Sequence, residues 1–179
     1  TMGVSLAALF AVKGFRVTLL TRRKEAVEKT WEKISEFILK MQPSGKSEFE
    51  IVTGSEKFAG VEVVIEALEE NLDVKKQVLA QVEKVCPNAF FYSNTSSLSI
   101  TDLASVLKNP SNFAGMHFFN PPHKMQLVEV VKTAKTSQQC VDAAVQVVTA
   151  LGKTAIVVND SPGFVVNRLL MPFLLDAIK

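Results

Sequence analysis

The sequence predicts an α/β fold in which helices cover both faces of a doubly wound, mostly parallel sheet. Short apolar segments of strand type alternate with longer segments whose apolar residues recur at helical spacing. The strand segments are largely apolar on both faces, as expected for strands covered by helices on each side. In such sheets ligands bind at the carboxyl ends of the strands, so a functional site is expected in the turns that follow them.

The first part of the chain alternates regularly between the two kinds of segment. Gly14 is placed to end the first helix, because glycine readily adopts the left-handed conformation that follows a helix. The second helix carries Trp31 and Ile34 on one apolar stripe, and "PSGK" after it predicts a turn. The predicted elements are a helix over 2–13, a strand over 15–20, a helix over 21–42, and strands over 49–53 and 61–67.

The second part continues the alternation but contains two consecutive strands. Ser99 is a natural N-cap for a short helix, with Asp102 three residues later as in a capping box. Gly152 closes the helix before the last strand. The predicted elements are a helix over 71–85, a strand over 89–93, a helix over 100–107, strands over 113–118 and 126–131, a helix over 137–151, a strand over 154–158, and the start of a final helix in "DSPGFVVNRLL".

The composition excludes several classes of function. With 47% hydrophobic residues, 21% charged residues and a net charge of +2, the chain has the profile of a soluble globular protein, with no footprint for nucleic acid or membrane binding. No apolar run reaches the roughly 18 residues that a membrane span needs. Cys86 and Cys140 lie at no metal-ligand spacing. We therefore predict reduced thiols, no metal site and a cytoplasmic protein.

The start of the chain has the features of a dinucleotide-binding unit. Gly3 opens a helix followed by a strand, like the last glycine of a G-x-G-x-x-G motif. Considered by itself, this glycine is explained by the packing of small residues at a helix start. The other two glycines and the strand before them would lie upstream of Thr1, and that strand is central in a Rossmann-like sheet. We therefore expect a fragment with a slot in its sheet, in which residues 1–160 form an NAD(P)-binding Rossmann domain.

The turn after the first strand selects between the nicotinamide coenzymes. NAD-binding folds usually carry an acidic residue there, which accepts a hydrogen bond from the ribose 2′-hydroxyl. This chain has Thr21, Arg22 and Arg23, and guanidinium groups beside a hydroxyl can bind a 2′-phosphate. A solvated helix start explains the arginines equally well. The sequence leaves NAD and NADP open, with Thr21 and Arg22 as candidate cofactor-binding residues.

His117 and Glu129 are the leading candidates for chemistry. His117 ends an apolar strand at the expected ligand edge, and Glu129 interrupts the apolar strand that follows. A lone histidine on a strand is usually a core residue, but a buried carboxylate in reach would fix its tautomer and stabilise the imidazolium. The pair then acts as a general base. A triad with Ser96 or Ser97 as nucleophile is weaker, because no G-x-S-x-G elbow surrounds them.

Five stretches of the sequence together resemble the L-3-hydroxyacyl-CoA dehydrogenase family: "TMG", "VIEALEENLDVKKQ", "SNTSSLSIT", "GMHFFNPPHKMQLVEVV" and "DSPGFVVNRLL". Members exchange a hydride between a nicotinamide and the C3 hydroxyl or ketone of an acyl-CoA, in fatty acid β-oxidation or butanoate metabolism. The resemblance implies that His117 is the catalytic base and Glu129 its orienting partner. It also implies that Ser96 binds substrate oxygen, and that Asn167 polarises the reacting carbonyl or contacts the thioester.

The resemblance implies cofactor contacts and a second domain as well. Glu70 and Lys75, expected at the mouth of the cleft, match cofactor-contacting positions of the family, as does Asn120, with Gly3 under the pyrophosphate. Residues 161–179 correspond to the first helix of a C-terminal all-helical domain used for substrate closure and dimerisation. A homodimer is therefore expected for the complete protein, with acyl-CoA as substrate.

The sequence also departs from the family pattern. Thr21 stands where the family usually has Asp, which keeps NADP open as a cofactor. The excursion between Leu20 and Val61 is short, whereas the family has a longer helical hairpin that helps to grip CoA, so no CoA contacts are assigned. Two alternatives stay open: another β-hydroxyacid dehydrogenase with the same cofactor domain, and a catalytically vestigial site.

Overall fold

The computed structural model describes residues 2–21, 24–41 and 47–178, in which helices and strands alternate as predicted. The helices are α1 (Met2–Val12), α2 (Val27–Lys40), α3 (Leu72–Glu83), α4 (Ile100–Ala104), α5 (Gln138–Ala150) and α6 (Val166–Ala177). The strands are β1 (Val17–Leu20), β2 (Phe49–Val52), β3 (Val63–Glu66), β4 (Phe90–Ser93), β5 (Phe113–Phe118), β6 (Leu127–Lys132) and β7 (Thr154–Asn159). Every predicted element is present, but α2 begins at Val27 and not at the predicted 21, after a 3₁₀ turn over Lys24–Ala26. α4 ends three residues before the predicted 107.

The strands form two sheets. β1 and β2 pair in parallel, and the larger sheet has the order β3-β4-β5-β6-β7. Neighbours in the larger sheet run parallel except β5 and β6, which are antiparallel. No backbone pairing joins β1 to β3 in the described part of the chain. The architecture is the predicted doubly wound, mostly parallel one, with the expected interruption between its two halves.

α1 connects the two sheets because it is apolar on nearly every side. Leu6, Leu9 and Phe10 pack into a core with β4, β5, β6 and α5. Val4 packs instead with Ile34 of α2 and with partly buried residues of β1 and β2. Burying one large apolar side chain contributes about 1.5–3 kcal/mol, so α1 is a major source of cohesion. The helix ends at Gly14, whose φ of 85° fits its predicted role.

α4 packs directly on the centre of β5. A Cβ added at Gly115 would lie 2.9 Å from both Ile100 Cδ1 and Val131 Cβ, so this position leaves no room for a side chain. The Oγ of Ser99 accepts a hydrogen bond from the N–H of Asp102 at 3.1 Å and caps α4 as predicted. The loop between β4 and α4 is therefore fixed at its far end against the strand that carries His117.

Both cysteines are buried and free, as predicted. Burial raises the pKa of the Cys140 thiol to about 11. Burial, with a smaller contribution from the charge of Glu83, also raises the pKa of Cys86. Thiols that are protonated and inaccessible in this way are inert core residues.

α6 differs from the other helices in what it exposes. None of its residues is buried. Its exposed large apolar side chains, with that of the residue after it, are Leu169, Leu170, Met171, Phe173, Leu174, Leu175 and Ile178. Even so, the described residues include no helix with the length and apolar character required to cross a bilayer.

Candidate active site

The carboxyl ends of β3, β4 and β5 bring the predicted site residues to one edge of the larger sheet. The three strands are parallel, so the turns after Glu66, Ser93 and Phe118 meet there. The Oδ1 of Asn94 accepts a hydrogen bond from the N–H of Phe118 at 2.9 Å. Glu70, which follows β3, accepts one from the turn after β4. The expectation of one shared edge is confirmed for these three turns, whereas the turn after Leu20 follows a strand of the other sheet.

Antiparallel pairing of β5 and β6 places His117 directly opposite Glu129. His117 Nδ1 lies 2.8 Å from Glu129 Oε2, and both side chains are buried. A buried carboxylate at this distance favours the tautomer with the proton on Nδ1, which leaves the lone pair of Nε2 available. The predicted pair therefore exists as a hydrogen-bonded dyad.

Ser96 extends the dyad on its open side. Its Oγ lies 3.1 Å from His117 Nε2 and can donate to that nitrogen. Two aromatic rings hold the imidazole plane: the Phe119 and Phe164 ring centroids lie 4.7 and 5.5 Å from that of His117. Of the residues predicted to be catalytic, the structure thus brings Ser96, His117 and Glu129 into one line of contacts.

Glu129 also anchors the start of α6. Its second oxygen, Oε1, accepts hydrogen bonds from the N–H groups of Val165 and Val166, each at 3.0 Å. A carboxylate at this position satisfies N–H groups of the first helical turn and complements the helix dipole. Phe164, just before them, has a φ of 50° and is buried. Asn167, the fourth predicted catalytic residue, is half-buried and lies in the first turn of α6, directly after these N–H groups.

The predicted cofactor-binding residues lie at the ends of several elements. Gly3, in the first turn of α1, faces Ala67 after β3. A Cβ added at Gly3 would lie 3.7 Å from the Cβ and from the carbonyl oxygen of Ala67. Thr21 follows β1, and Asn120 is exposed after β5. Arg22 lies outside the described residues. A contact between a cofactor and any of these positions stays a prediction.

Lys75, expected at the mouth of the cleft, has a side chain that is only 1% exposed. Its Nζ lies 2.7 Å from Glu66 Oε1, 3.2 Å from the carbonyl oxygen of Leu68 and 3.3 Å from Glu70 Oε2. Three acceptors use all the hydrogens of an ammonium group. The missed signal is Glu66, an acidic residue at the end of an apolar strand, which needs a buried partner. Direct contact of Lys75 with a cofactor stays a prediction.

Glu70 organises the serine-rich turn after β4. Its Oε1 accepts hydrogen bonds from the N–H groups of Ser96 and Ser97 at 2.9 and 3.1 Å, from Ser97 Oγ at 3.1 Å and from the hydroxyl of Thr95. Burial alone would raise the pKa of Glu70, but the hydrogen bonds from Thr95 and Ser96, with the Lys75 charge, lower it to about 2. The carboxylate is therefore ionised at neutral pH.

Comparison with known proteins agrees with this arrangement. Residues 1–161 match the family described as 3-hydroxyacyl-CoA dehydrogenase, NAD binding domain. The chain belongs to the 3-hydroxyacyl-CoA dehydrogenase family. The fatty acid oxidation complex subunit alpha of Acinetobacter baylyi is 46% identical over 156 residues, which are 87% of this chain and 21% of that subunit. The chain thus spans about a fifth of the length of the curated relatives it matches.

Two solved structures are similar to this chain over almost its whole length. The (S)-3-hydroxybutyryl-CoA dehydrogenase of Ralstonia eutropha has a TM-score of 0.91 and 35% identity, covering 99% of this chain and 66% of its own. FadB2 of M. tuberculosis has a TM-score of 0.89 and 32% identity, covering 99% and 67%. The Rossmann-like fold is confirmed, and the family indicates a nicotinamide cofactor without distinguishing NAD from NADP.

Proposed function

We propose that the protein carrying this chain is a 3-hydroxyacyl-CoA dehydrogenase acting in fatty acid oxidation or butanoate metabolism. The substrate class is acyl-CoA, and the reaction converts a C3 hydroxyl and a C3 ketone into each other. The main support is the buried dyad, in which His117 Nδ1 and Glu129 Oε2 are 2.8 Å apart at the ligand edge of the sheet. The similar proteins, which include a 3-hydroxybutyryl-CoA dehydrogenase, point to the same chemistry.

In this mechanism His117 moves the proton. Its Nε2 accepts the proton of the substrate C3 hydroxyl during oxidation and returns it during reduction. Glu129 keeps Nδ1 protonated and stabilises the imidazolium while it exists. Ser96 Oγ, 3.1 Å from Nε2, holds the substrate oxygen beside that nitrogen. Asn167, on α6, polarises the carbonyl. The coenzyme, when bound, accepts or supplies the hydride at C3.

The residues at the edge fit a dinucleotide. α1 begins beside the end of β3, and the N–H groups of a first helical turn, with the helix dipole, favour a phosphate. Gly3 lies in that turn and leaves it without a side chain. Thr21 and Arg22 would contact the adenosine ribose, and Asn120 the nicotinamide half. Lys75 fits less well, because all its hydrogens already have acceptors.

A hydrolase is the rival that the contacts of Ser96 suggest, since Ser96, His117 and Glu129 lie in the order of a catalytic triad. Acyl transfer also needs free donors for the oxyanion. The N–H groups of Ser96 and Ser97 donate instead to Glu70, at 2.9 and 3.1 Å. The occupied donors favour the dehydrogenase.

The domain organisation is part of the same proposal. We take residues 1–160 as the NAD(P)-binding domain and 161–179 as the first helix of an all-helical domain that closes over the substrate and forms a homodimer. A helix with a wide apolar face packs that face against other elements, and α6 exposes several large apolar side chains. The free buried thiols of Cys86 and Cys140 support a cytoplasmic location.

The test is turnover of acetoacetyl-CoA by the full-length protein, followed by nicotinamide absorbance with NADH and with NADPH. We expect His117→Ala to lower kcat about 10²–10⁴-fold, the range of general acid–base catalysis. His123→Ala is the matched control, since this second histidine is half-buried in the loop after β5, and should retain activity. No turnover with either coenzyme on several acyl-chain lengths would favour a vestigial site or another β-hydroxyacid dehydrogenase.

A further inference from the structure

The hydroxyl groups of the serine-rich turn after β4 fall into two sets according to their hydrogen-bond partners. Residues 95–97 carry three hydroxyls in a row. Those of Thr95 and Ser97 donate to Glu70 Oε1, whereas that of Ser96 meets His117 Nε2 at 3.1 Å. Glu70 also takes the N–H groups of Ser96 and Ser97. The carboxylate therefore binds the turn around Ser96 and leaves the Ser96 hydroxyl to the histidine.

The position of Glu70 is in turn fixed by Lys75 and, through it, by Glu66. Its other oxygen, Oε2, lies 3.3 Å from Nζ of Lys75, which is 2.7 Å from Oε1 of Glu66. Glu66 is 5% exposed, and its Oε1 also accepts a hydrogen bond from the N–H of Leu68. An ammonium group with two carboxylates and one carbonyl oxygen around it restrains all three acceptors, because each of its hydrogens has a partner.

A second branch from Glu66 reaches the same turn. Ser93 Oγ donates to Glu66 Oε2 at 2.6 Å and accepts from the N–H of Thr95 at 3.3 Å. Thr95 is thus held at its backbone through Ser93 and at its hydroxyl through Glu70. Two branches from one buried ion pair converge on the residue immediately before Ser96. Buried ion pairs add little net stability, so their value here is in fixing geometry.

We propose that Glu70 is a positioning residue, which acts on the reaction through Ser96 and is itself held by the Lys75–Glu66 pair. The inference rests on the proposed function and deepens it, because it names what holds the substrate-binding hydroxyl against His117. It differs from a direct contact between Glu70 and the cofactor. A positioning role affects kcat, whereas a cofactor contact affects binding of the coenzyme.

The test compares Glu70→Gln, Ser96→Ala and the double variant in the full-length enzyme, with Asp73→Asn as control. Asp73 is an exposed carboxylate in the first turn of α3. In Glu70→Gln the amide N–H₂ group faces either the Lys75 ammonium or the donors of the turn. Because it is itself a donor, it cannot accept the hydrogen bonds that the carboxylate oxygen accepts there. We expect kcat to fall about 10–100-fold, the equivalent of one charge-assisted hydrogen bond, with KM for the coenzyme changed less than about twofold.

Two outcomes are specific to positioning. The double variant should be no slower than Ser96→Ala alone, because the two residues act as one unit. The peptide covering 94–99 should exchange its amide hydrogens faster in Glu70→Gln, which is measured by mass spectrometry without any turnover. Additive losses in the double variant, a rise in coenzyme KM with unchanged kcat, or unchanged exchange would each overturn the inference. A wild-type enzyme without turnover would instead refute the proposed function.

Discussion

Replacing Glu129 by Gln is the most informative single change at the dyad. The amide keeps the size of the carboxylate but has one oxygen and one N–H₂ group. Its oxygen must face the N–H groups of Val165 and Val166, each 3.0 Å from Oε1, because an N–H₂ group there would place donors against donors. The N–H₂ group then faces His117 Nδ1. It donates to that nitrogen, which moves the ring proton to Nε2, the atom that must accept the substrate proton.

The size of the effect follows from what Glu129 supplies to His117. A hydrogen bond to a charged group contributes about 1.5–3 kcal/mol, and the buried charge also stabilises the imidazolium. The tautomer error adds to this loss, and the same acid-to-amide change in a serine protease lowers kcat about 10⁴-fold. We expect a total of about 3–5 kcal/mol, so kcat should fall about 10²–10⁴-fold.

The assay is steady-state turnover of acetoacetyl-CoA, with thermal unfolding as a check on the fold. Glu83→Gln is the control, because Glu83 is also buried and its two oxygens accept N–H groups of Lys108 and Asn109 at 2.9 Å each. Glu83→Gln should lower the unfolding temperature but leave kcat within about twofold of the wild-type value, because Glu83 makes no contact with the dyad. Glu129→Gln activity above a tenth of wild type would refute the tautomer argument.

Two further predictions concern stability. Gly115→Ala puts a Cβ 2.9 Å from Ile100 Cδ1 and Val131 Cβ, so overpacking should cost about 1–3 kcal/mol in chemical denaturation; an unchanged midpoint would contradict the packing described. Burial opposes ionisation of Asp160, but hydrogen bonds from Thr101 lower its pKa below the usual range of an aspartate. Because the folded pKa is the lower one, Asp160 stabilises the fold above the unfolded pKa and loses this effect as pH falls through the folded pKa. The difference in unfolding free energy between wild type and Asp160→Asn should therefore be largest near neutral pH and shrink in acid, and a difference independent of pH would contradict it.

Much of the fold could be predicted because its signals are local. Apolar runs marked β5 to the residue, and Ser99 and Gly14 marked the ends of helices. The early end of α4 was not visible, because no glycine or proline follows Ala104 within the predicted helix. The hydroxyl of Ser105, which donates to the carbonyl oxygen of Asp102 at 2.6 Å, satisfies a backbone group in the last turn, a local contact that no periodicity reports.

The site was predictable only in part, because its contacts are between distant residues. The sequence shows His117 and Glu129 on consecutive strands but not that they contact each other. The antiparallel register that makes them direct partners is a property of the sheet. The burial of Lys75 was not predicted, because a charged residue near a helix start is normally explained by compensation of the helix dipole. Its burial depends on Glu66, nine residues earlier, and on the turn that brings α3 back over β3.

Because the two oxygens of Glu129 have different partners, they affect which residues of this site a descendant without catalytic activity would retain. One oxygen holds the catalytic histidine and the other holds the first N–H groups of α6. Selection for a stable fold would therefore retain the glutamate in a descendant that had lost its chemistry. In the described part of the chain, Ser96 Oγ has only His117 as a hydrogen-bond partner, so its loss leaves no backbone group unsatisfied. In comparing related sequences, the serine is the better indicator of an active enzyme.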